Sequence, residues 1–200
     1  MCESIYWLKE VGWRANSYVS ENILVDASQS VMTVAPYKDQ IDVIVLTHGH
    51  FDHMANLPDL IDLCDAKVYI GERDFPFLFD DFLSLADHFG GHSPDISAVP
   101  LADGDRLGEF MIIHTPGHTG GSICLYREED GALITGDTLF PHGSFGRTDL
   151  PTGNHVELVT SINRLANLHI ESLWCGHDIP VPSDAMRDVL LAQAEVSRYG

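Results

Sequence analysis

The sequence predicts an α+β domain in which sheets are buried against outer helices. Strand-like and helix-like runs alternate along all 200 residues, and strand-rich stretches lie near both ends. Apolar residues make up 44% of the chain, which is enough for a hydrophobic core in one domain over residues 1–200. The alternation favours layers of sheet and helix over a helical bundle or an all-β barrel, and it leaves the strand order open.

The first part of the chain predicts three strands, a helix and a fourth strand. Residues 16–20, 23–26 and 41–46 are short β-like runs, and the last is nearly all Ile, Val and Leu, as in a buried central strand. Apolar residues between 57 and 64 recur at helical spacing and predict one buried helix face. Residues 67–70 then predict the next strand.

The middle of the chain breaks this periodicity. A short helix is predicted over residues 72–79. Residues 80–100 carry Phe82 and Phe89 ahead of Gly90, Gly91 and Pro94. Such a stretch predicts a surface excursion packed by its own aromatic rings, and it is a candidate lid.

The second half predicts an antiparallel sheet followed by helices. Strands are expected over residues 110–115, 122–126 and 132–135, and the last two form a hairpin across residues 128–131. One further strand is expected over residues 172–175.

Two helices are predicted near the C-terminus. Asn154 followed by Glu157 resembles a capping box that begins the first helix. The second helix is expected to begin after Ser183 or Asp184 as its N-cap. Its buried side is predicted to carry Met186, Val189, Leu190 and Gln193.

The charge of the chain bears on its partners. Eleven Lys and Arg stand against 30 Asp and Glu, giving a formal net charge of −19, so we expect no nucleic-acid partner. No apolar run approaches the roughly 20 residues of a membrane helix, and residues 1–11 show no signal-peptide pattern. We expect a cytoplasmic protein with a small-molecule substrate. The four cysteines lack metal-site spacing and are expected to be reduced: Cys2, Cys64, Cys124 and Cys175.

A dense group of metal-ligand side chains follows the most apolar strand. His48 and His50 are two residues apart, so an extended backbone projects both side chains to the same side. A following bend would turn Asp52 and His53 towards a second ion. Imidazole and carboxylate groups are ligands that zinc, iron and manganese accept.

Three more candidate ligands lie at the ends of later predicted strands: His118, Asp137 and His177. Each follows a glycine, which permits backbone turns that are closed to other residues and can aim a side chain into a crowded site. Together with the first four residues, they predict a metal centre.

At these residues the chain resembles the metallo-β-lactamase superfamily. The HxHxDH motif of that family is matched by residues 48–53, and its later ligands are matched by His118, Asp137 and His177. The resemblance implies an αββα sandwich, in which two sheets lie face to face with helices outside. It also implies two divalent metal ions, with zinc expected first and iron or manganese as alternatives.

The resemblance assigns a role to each ligand. The first ion would be held by His48, His50 and His118, the second by Asp52, His53 and His177, and Asp137 would bridge them. Antibiotic-hydrolysing members that carry a cysteine at the position of Asp137 differ from this chain. We therefore do not expect β-lactam hydrolysis.

Three segments are similar to those of glyoxalase II-like hydrolases. They are His-Thr-Pro-Gly-His-Thr at 114–119, Gly-Asp-Thr-Leu-Phe at 136–140 and Gly-Arg-Thr-Asp-Leu at 146–150. This similarity implies a hydrolase that attacks a hydroxyacyl thioester with metal-activated water, with Asp52 as the catalytic residue that orients the water. Arg147 is expected either to bind an anionic substrate group or to pair with Asp149.

Alternative functions remain open from the sequence. A persulfide dioxygenase with a single iron ion shares similar segments, and a lactonase could use the same pair of metals. A metal-binding protein without catalytic activity is the remaining alternative.

Overall fold

The computed structural model describes residues 5–198, which form two compact units divided between Leu101 and Ala102. Each unit contains one mixed sheet and several helices, so the α+β prediction is confirmed. The prediction of a single domain stays a prediction. None of the helices in the described part of the chain combines the length and apolarity needed to cross a membrane.

The first unit is built on a six-stranded sheet whose spatial order follows the chain. Its strands are β1 (Tyr6–Leu8), β2 (Ser17–Ser20), β3 (Ile23–Val25), β4 (Val43–Leu46), β5 (Lys67–Gly71) and β6 (Val99–Leu101). The strands from β1 to β3 pair antiparallel, and those from β3 to β6 pair parallel. The carboxyl ends of β3 and β4 therefore meet at one edge of the sheet.

Four helices belong to this unit: α1 (Val31–Val34), α2 (Phe51–Met54), α3 (Leu57–Cys64) and α4 (Asp81–Ser84). The predicted helix over residues 57–64 is confirmed, and Leu57 and Leu60 on α3 are fully buried. They join a core that includes Leu24 and Ile44 of the sheet. Burial of such side chains contributes about 1.5–3 kcal/mol each.

The second unit contains a five-stranded sheet in the order β11-β10-β9-β8-β7. Its strands are β7 (Arg106–Leu107), β8 (Phe110–His114), β9 (Ile123–Arg127), β10 (Ala132–Gly136) and β11 (Ser172–Cys175). The strands from β7 to β10 pair antiparallel, which confirms the predicted hairpin, whereas β11 pairs parallel with β10. The ends of β10 and β11 therefore lie side by side.

The two helices of this unit are α5 (His155–Leu165) and α6 (Met186–Val196). The predicted N-cap of α5 is confirmed, because the Asn154 side chain accepts the backbone N–H groups of Val156 and Glu157. The predicted N-cap of α6 is wrong. Asp184 adopts a left-handed conformation, with φ at 57°, and Ala185 caps the helix without a side-chain hydrogen bond.

The predicted buried side of α6 is also partly wrong. Val189 is buried as expected, but Leu190 is 48% exposed. Ala192 and Val196 are buried instead, so the buried stripe follows positions 189, 192 and 196. Buried residues that recur every three or four positions form one face of a helix. The prediction placed part of that face at positions 190 and 193, next to the residues that are buried.

Several short elements were not predicted. Strands β1 and β6 have only three residues each, and β6 contains Pro100, which is tolerated because β6 is an edge strand. The short helix predicted over residues 72–79 is a 3-10 helix at Glu72–Leu78, with Pro76 inside it. Residues 80–100 contain α4 and a 3-10 turn at Ala86–Phe89 before β6 begins. Cys64, Cys124 and Cys175 are free thiols, and Cys2 lies outside the described residues.

Candidate metal centre

Strand β4 leads directly to the first two predicted ligands. His48 and His50 are both buried, and His50 is the N-cap of α2 with an extended backbone. Nε2 of His48 lies 3.0 Å from Nδ1 of His50, so the two side chains project to the same side of the backbone, as predicted. Two ligands of a tetrahedral zinc ion with bonds of about 2.1 Å lie about 3.4 Å apart, which is close to this separation.

The next two predicted ligands lie on α2. Oδ2 of Asp52 is 3.9 Å from Nε2 of His53. The side chain of His53 is fully buried, whereas that of Asp52 is 17% exposed. The first unit therefore carries two pairs of donor atoms, and the carboxylate of the second pair is accessible to water.

Asp26 holds His53, a role that the sequence analysis missed. It follows β3 in a left-handed conformation, and its buried carboxylate accepts a hydrogen bond of 2.8 Å from Nδ1 of His53. The same carboxylate accepts the N–H and hydroxyl groups of Thr47. Because Nδ1 of His53 donates to Asp26, Nε2 is the atom left to bind a metal.

A second buried carboxylate fixes the loop that carries the histidines. Asp74 lies in the 3-10 helix after β5, and its Oδ2 accepts the N–H of Gly49 at 2.9 Å. A side chain at position 49 would have its Cβ only 2.3 Å from Cβ of Phe77. The loop between His48 and His50 is thus held against the neighbouring segment, and only glycine fits there.

The role of Asp26 gives a direct prediction. Replacing Asp26 by alanine removes the acceptor that orients His53, so we expect metal affinity to fall about 10–100-fold. Titration of the metal-free protein with zinc against a competing chelator measures this change. Asp39→Ala is a matched control, because Asp39 is an exposed acid of the same unit. An unchanged zinc affinity in Asp26→Ala would show that other contacts orient His53.

The remaining three ligands belong to the second unit. Asp137 follows β10, His177 follows β11, and His118 lies in the loop between β8 and β9. Oδ2 of Asp137 is 3.7 Å from Nε2 of His118 and 3.7 Å from Nε2 of His177. One carboxylate oxygen therefore lies at equal distances from two imidazoles, the position expected of a ligand shared by two ions.

His118 is oriented by a backbone carbonyl. Its Nδ1 donates a hydrogen bond of 2.8 Å to the carbonyl oxygen of Arg147, which leaves Nε2 towards Asp137. The expectation about glycines holds for Gly117 and Gly136, whose φ angles are 144° and 47°. It is wrong for Gly176, which is not among the glycines with positive φ. Parallel pairing of β10 with β11 brings His177 alongside Asp137 without such a turn.

Arg147 forms an ion pair with Asp149, one of the two roles expected from the sequence. Its Nε and Nη2 each donate a hydrogen bond of 2.7 Å to that carboxylate. The pair lowers the pKa of Asp149 from 3.8 to about 2. Because this pKa is depressed in the folded state, the pairing contributes fully above pH 3.8 and is lost as the pH falls through about 2. The substrate-binding role of Arg147 stays a prediction.

The matching family model describes the Metallo-beta-lactamase superfamily and covers residues 13–177. Among curated proteins, the chain is 32% identical to the hydroxyacylglutathione hydrolase GloC of Haemophilus influenzae over 146 residues, covering 68% of each chain. Two solved structures are also similar. The protein TTHA1623 in a di-iron-bound form has a TM-score of 0.81 and 28% identity, with 91% of this chain and 96% of that chain covered.

The second structure is BLEG-1, a B3 metallo-beta-lactamase, with a TM-score of 0.80 and 26% identity, covering 94% of this chain and 99% of that chain. These matches confirm the predicted metallo-β-lactamase fold. The family model spans all seven predicted ligands, from His48 to His177. On this evidence, the chain belongs to the metallo-beta-lactamase superfamily.

Proposed function

We propose that the protein is a metal-dependent hydrolase that holds a pair of divalent ions, and that it cleaves thioesters. The observation that carries the proposal is the position of Asp137, whose Oδ2 lies 3.7 Å from the Nε2 atoms of both His118 and His177. Following the pattern of the family, His48 and His50 would serve one ion, and Asp52 and His53 would serve the other. The proposed ligands are His48, His50, Asp52, His53, His118, Asp137 and His177.

The donor atoms suit a transition metal. Five imidazoles and two carboxylates form the set, and such ligands favour zinc or iron over calcium or magnesium. Asp26 and the Arg147 carbonyl already hold two of the imidazoles with Nε2 available. The di-iron form of TTHA1623 supports a binuclear site with iron as an alternative to zinc.

In the proposed reaction, the bound ions would polarise the substrate carbonyl and lower the pKa of a water molecule. Asp52 accepts a hydrogen bond from the attacking water and so aims its lone pair at the carbonyl carbon. Its 17% exposure gives water access to the carboxylate. The attack forms the new C–O bond and the C–S bond breaks, so that the sulfur leaves as a thiolate. The proton that the water gives up passes to the Asp52 carboxylate and from there to the thiolate, which departs as a thiol.

The thioester substrate is supported by two observations. The relative GloC is a hydroxyacylglutathione hydrolase by name, and the chain is 32% identical to it. A thiolate is also a better leaving group than an alkoxide, so thioesters need less help from a general acid.

A substrate panel tests the proposal. We expect the zinc- or iron-loaded protein to hydrolyse lactoyl-glutathione without oxygen uptake, and to lose that activity after chelation and regain it when the metal is restored. The same preparations are given glutathione persulfide in an oxygen electrode, a small lactone and a β-lactam. Oxygen consumption with the persulfide, with one iron per chain, would instead identify a dioxygenase, and β-lactam turnover above thioester turnover would place the protein with BLEG-1.

A further inference from the structure

Three aromatic rings of the first unit form a surface cluster, here called the aromatic patch: Trp13, Phe51 and Phe89. The centroid of the Trp13 ring lies 4.5 Å from that of Phe89 and 5.9 Å from that of Phe51, in stacked arrangements. Phe51 and Phe89 are 6.1 Å apart and also stacked. Trp13 is 43% exposed and Phe89 is 36% exposed. Such rings offer a ready binding surface for an apolar group.

The aromatic patch lies beside a proposed metal ligand. Phe51 precedes Asp52 directly at the start of α2. The segment that carries Trp13 is joined to the same helix, because the N–H of Ala15 donates a hydrogen bond of 3.1 Å to the carbonyl oxygen of Asp52. The aromatic patch is therefore built around α2, the helix that also carries the residue proposed to orient the attacking water.

Buried polar groups hold the patch in place. Gln29 is 1% exposed, and its amide donates a hydrogen bond of 2.8 Å to the carbonyl oxygen of Ala15. The side chain of Asn16 accepts the indole N–H of Trp7 at 2.7 Å and the backbone N–H of Glu10 at 2.9 Å. The loop before β2 is thus fixed from both sides. It presents an exposed tryptophan from a rigid backbone, which lowers the entropic cost of binding a ligand there.

The excursion over residues 80–100 completes the patch. Phe89 comes from this segment, and Gly91 packs so closely that a Cβ there would lie 2.3 Å from the ring of Phe51. The excursion therefore packs on Phe51 of α2 and on Trp13, rings that lie outside the segment, rather than on its own aromatic rings as the sequence predicted. It supplies one wall of the patch.

A positive charge adjoins the aromatic patch. The guanidinium of Arg14 lies 5.6 Å from the ring centroid of Trp13, and it forms no ion pair with any residue in 5–198. This arginine is one of only 11 basic residues in a chain with a formal charge of −19. A guanidinium stacked on an aromatic ring keeps its donor groups free to bind a carboxylate.

We propose that the aromatic patch binds the apolar acyl group of the substrate and that Arg14 binds the carboxylate of the same molecule. This inference rests on the proposed function, because it assigns the substrate class of the proposed hydrolase: thioesters that join an aromatic or bulky alkyl acyl group to a thiol bearing a carboxylate. The three aromatic rings would select for an apolar acyl group, and the Arg14 guanidinium would select for a carboxylate on the thiol part of the substrate.

Binding of uncleaved analogues tests the proposal independently of turnover. N-phenylacetyl-β-alanine carries both an aromatic acyl group and a carboxylate, joined by an amide that resists hydrolysis. N-acetyl-β-alanine lacks the ring, and N-phenylacetylethanolamine lacks the charge. Calorimetric titration of the metal-loaded protein with each compound gives the three dissociation constants.

Two substitutions separate the two contacts. We expect Phe89→Ala to weaken binding of N-phenylacetyl-β-alanine about fivefold and to leave N-acetyl-β-alanine unaffected. Arg14→Gln should weaken binding of N-phenylacetyl-β-alanine about tenfold and leave N-phenylacetylethanolamine unaffected. Phe82→Ala and Arg106→Gln are matched controls, because both residues are exposed and lie outside the patch. Circular dichroism and metal content verify that each variant is folded and loaded.

The outcomes separate this inference from the hydrolase proposal. If the wild-type protein fails to bind N-phenylacetyl-β-alanine, or if both patch variants bind it as tightly as the controls do, the inference is overturned. If the expected binding pattern is found but neither S-phenylacetyl-3-mercaptopropionate nor lactoyl-glutathione is hydrolysed, the binding surface stands and the thioesterase proposal fails. Hydrolysis of S-phenylacetyl-3-mercaptopropionate, with KM raised in Phe89→Ala and Arg14→Gln but not in the controls, supports both the binding surface and the thioesterase proposal.

Discussion

Asp137→Ala is expected to lower the metal content from two ions per chain to one or none and to reduce kcat/KM at least about 1000-fold. The carboxylate of Asp137 lies 3.7 Å from the ligand nitrogens of both His118 and His177. Its removal therefore takes one ligand from each of the two proposed ions, whereas replacing any other proposed ligand would affect only one ion. Metal analysis and steady-state kinetics on the same preparation measure both effects.

Glu128→Ala is the matched control for this variant. Glu128 lies exposed between β9 and β10 of the same unit, so its removal changes the net charge by the same amount and leaves the ligands in place. We expect wild-type metal content and activity for the control. Wild-type turnover in Asp137→Ala would show that the two ions do not share this carboxylate.

Asp52→Asn is expected to slow catalysis steeply while the ion at His48 and His50 is retained. The amide keeps the size of the side chain and an oxygen atom, but it is a weaker acceptor for the proton of the attacking water. We expect kcat to fall about 100–10,000-fold, with KM little changed and the ion at His48 and His50 retained. The side chain is partly exposed, so the substitution leaves the buried His53–Asp26 contact intact.

Kinetics and metal analysis again give the result for Asp52→Asn. The matched control is Asp59→Asn, because Asp59 is an exposed carboxylate on the neighbouring helix α3 of the same unit. We expect this control to behave as wild type. An unchanged kcat in Asp52→Asn would mean that another group orients the water.

Much of the fold could be predicted because its long elements carry their own pattern. Strand β4 is all Val, Ile and Leu, and α3 has a clear apolar stripe. Strands β1 and β6 escaped prediction because three residues are too few for a period, and their pairing with β2 and β5 comes from tertiary contacts. The start of α6 escaped prediction because Asp184, a residue typical of an N-cap, takes a left-handed turn there instead.

The candidate site shows the same division. Ligand residues such as His48 and Asp137 have a distinctive chemistry and follow strands, so their sequence positions were informative. Asp26 could not be found in this way, because an acid at the end of a strand is common and its contact with His53 depends on the parallel pairing of β3 with β4. The hydrogen bond between Asp26 and His53 joins residues 27 positions apart. The aromatic patch escaped for the same reason, since its three rings come from separate segments.

The number of metal ions bound per chain tests directly whether the proposed ligands hold a pair of ions. Metal-free protein is loaded separately with zinc, iron and manganese, freed of excess metal, and measured by elemental analysis against the protein concentration. We expect two ions per chain for at least one of these metals, falling to one or none in Asp137→Ala. A wild-type protein that binds at most one ion of every metal would contradict it.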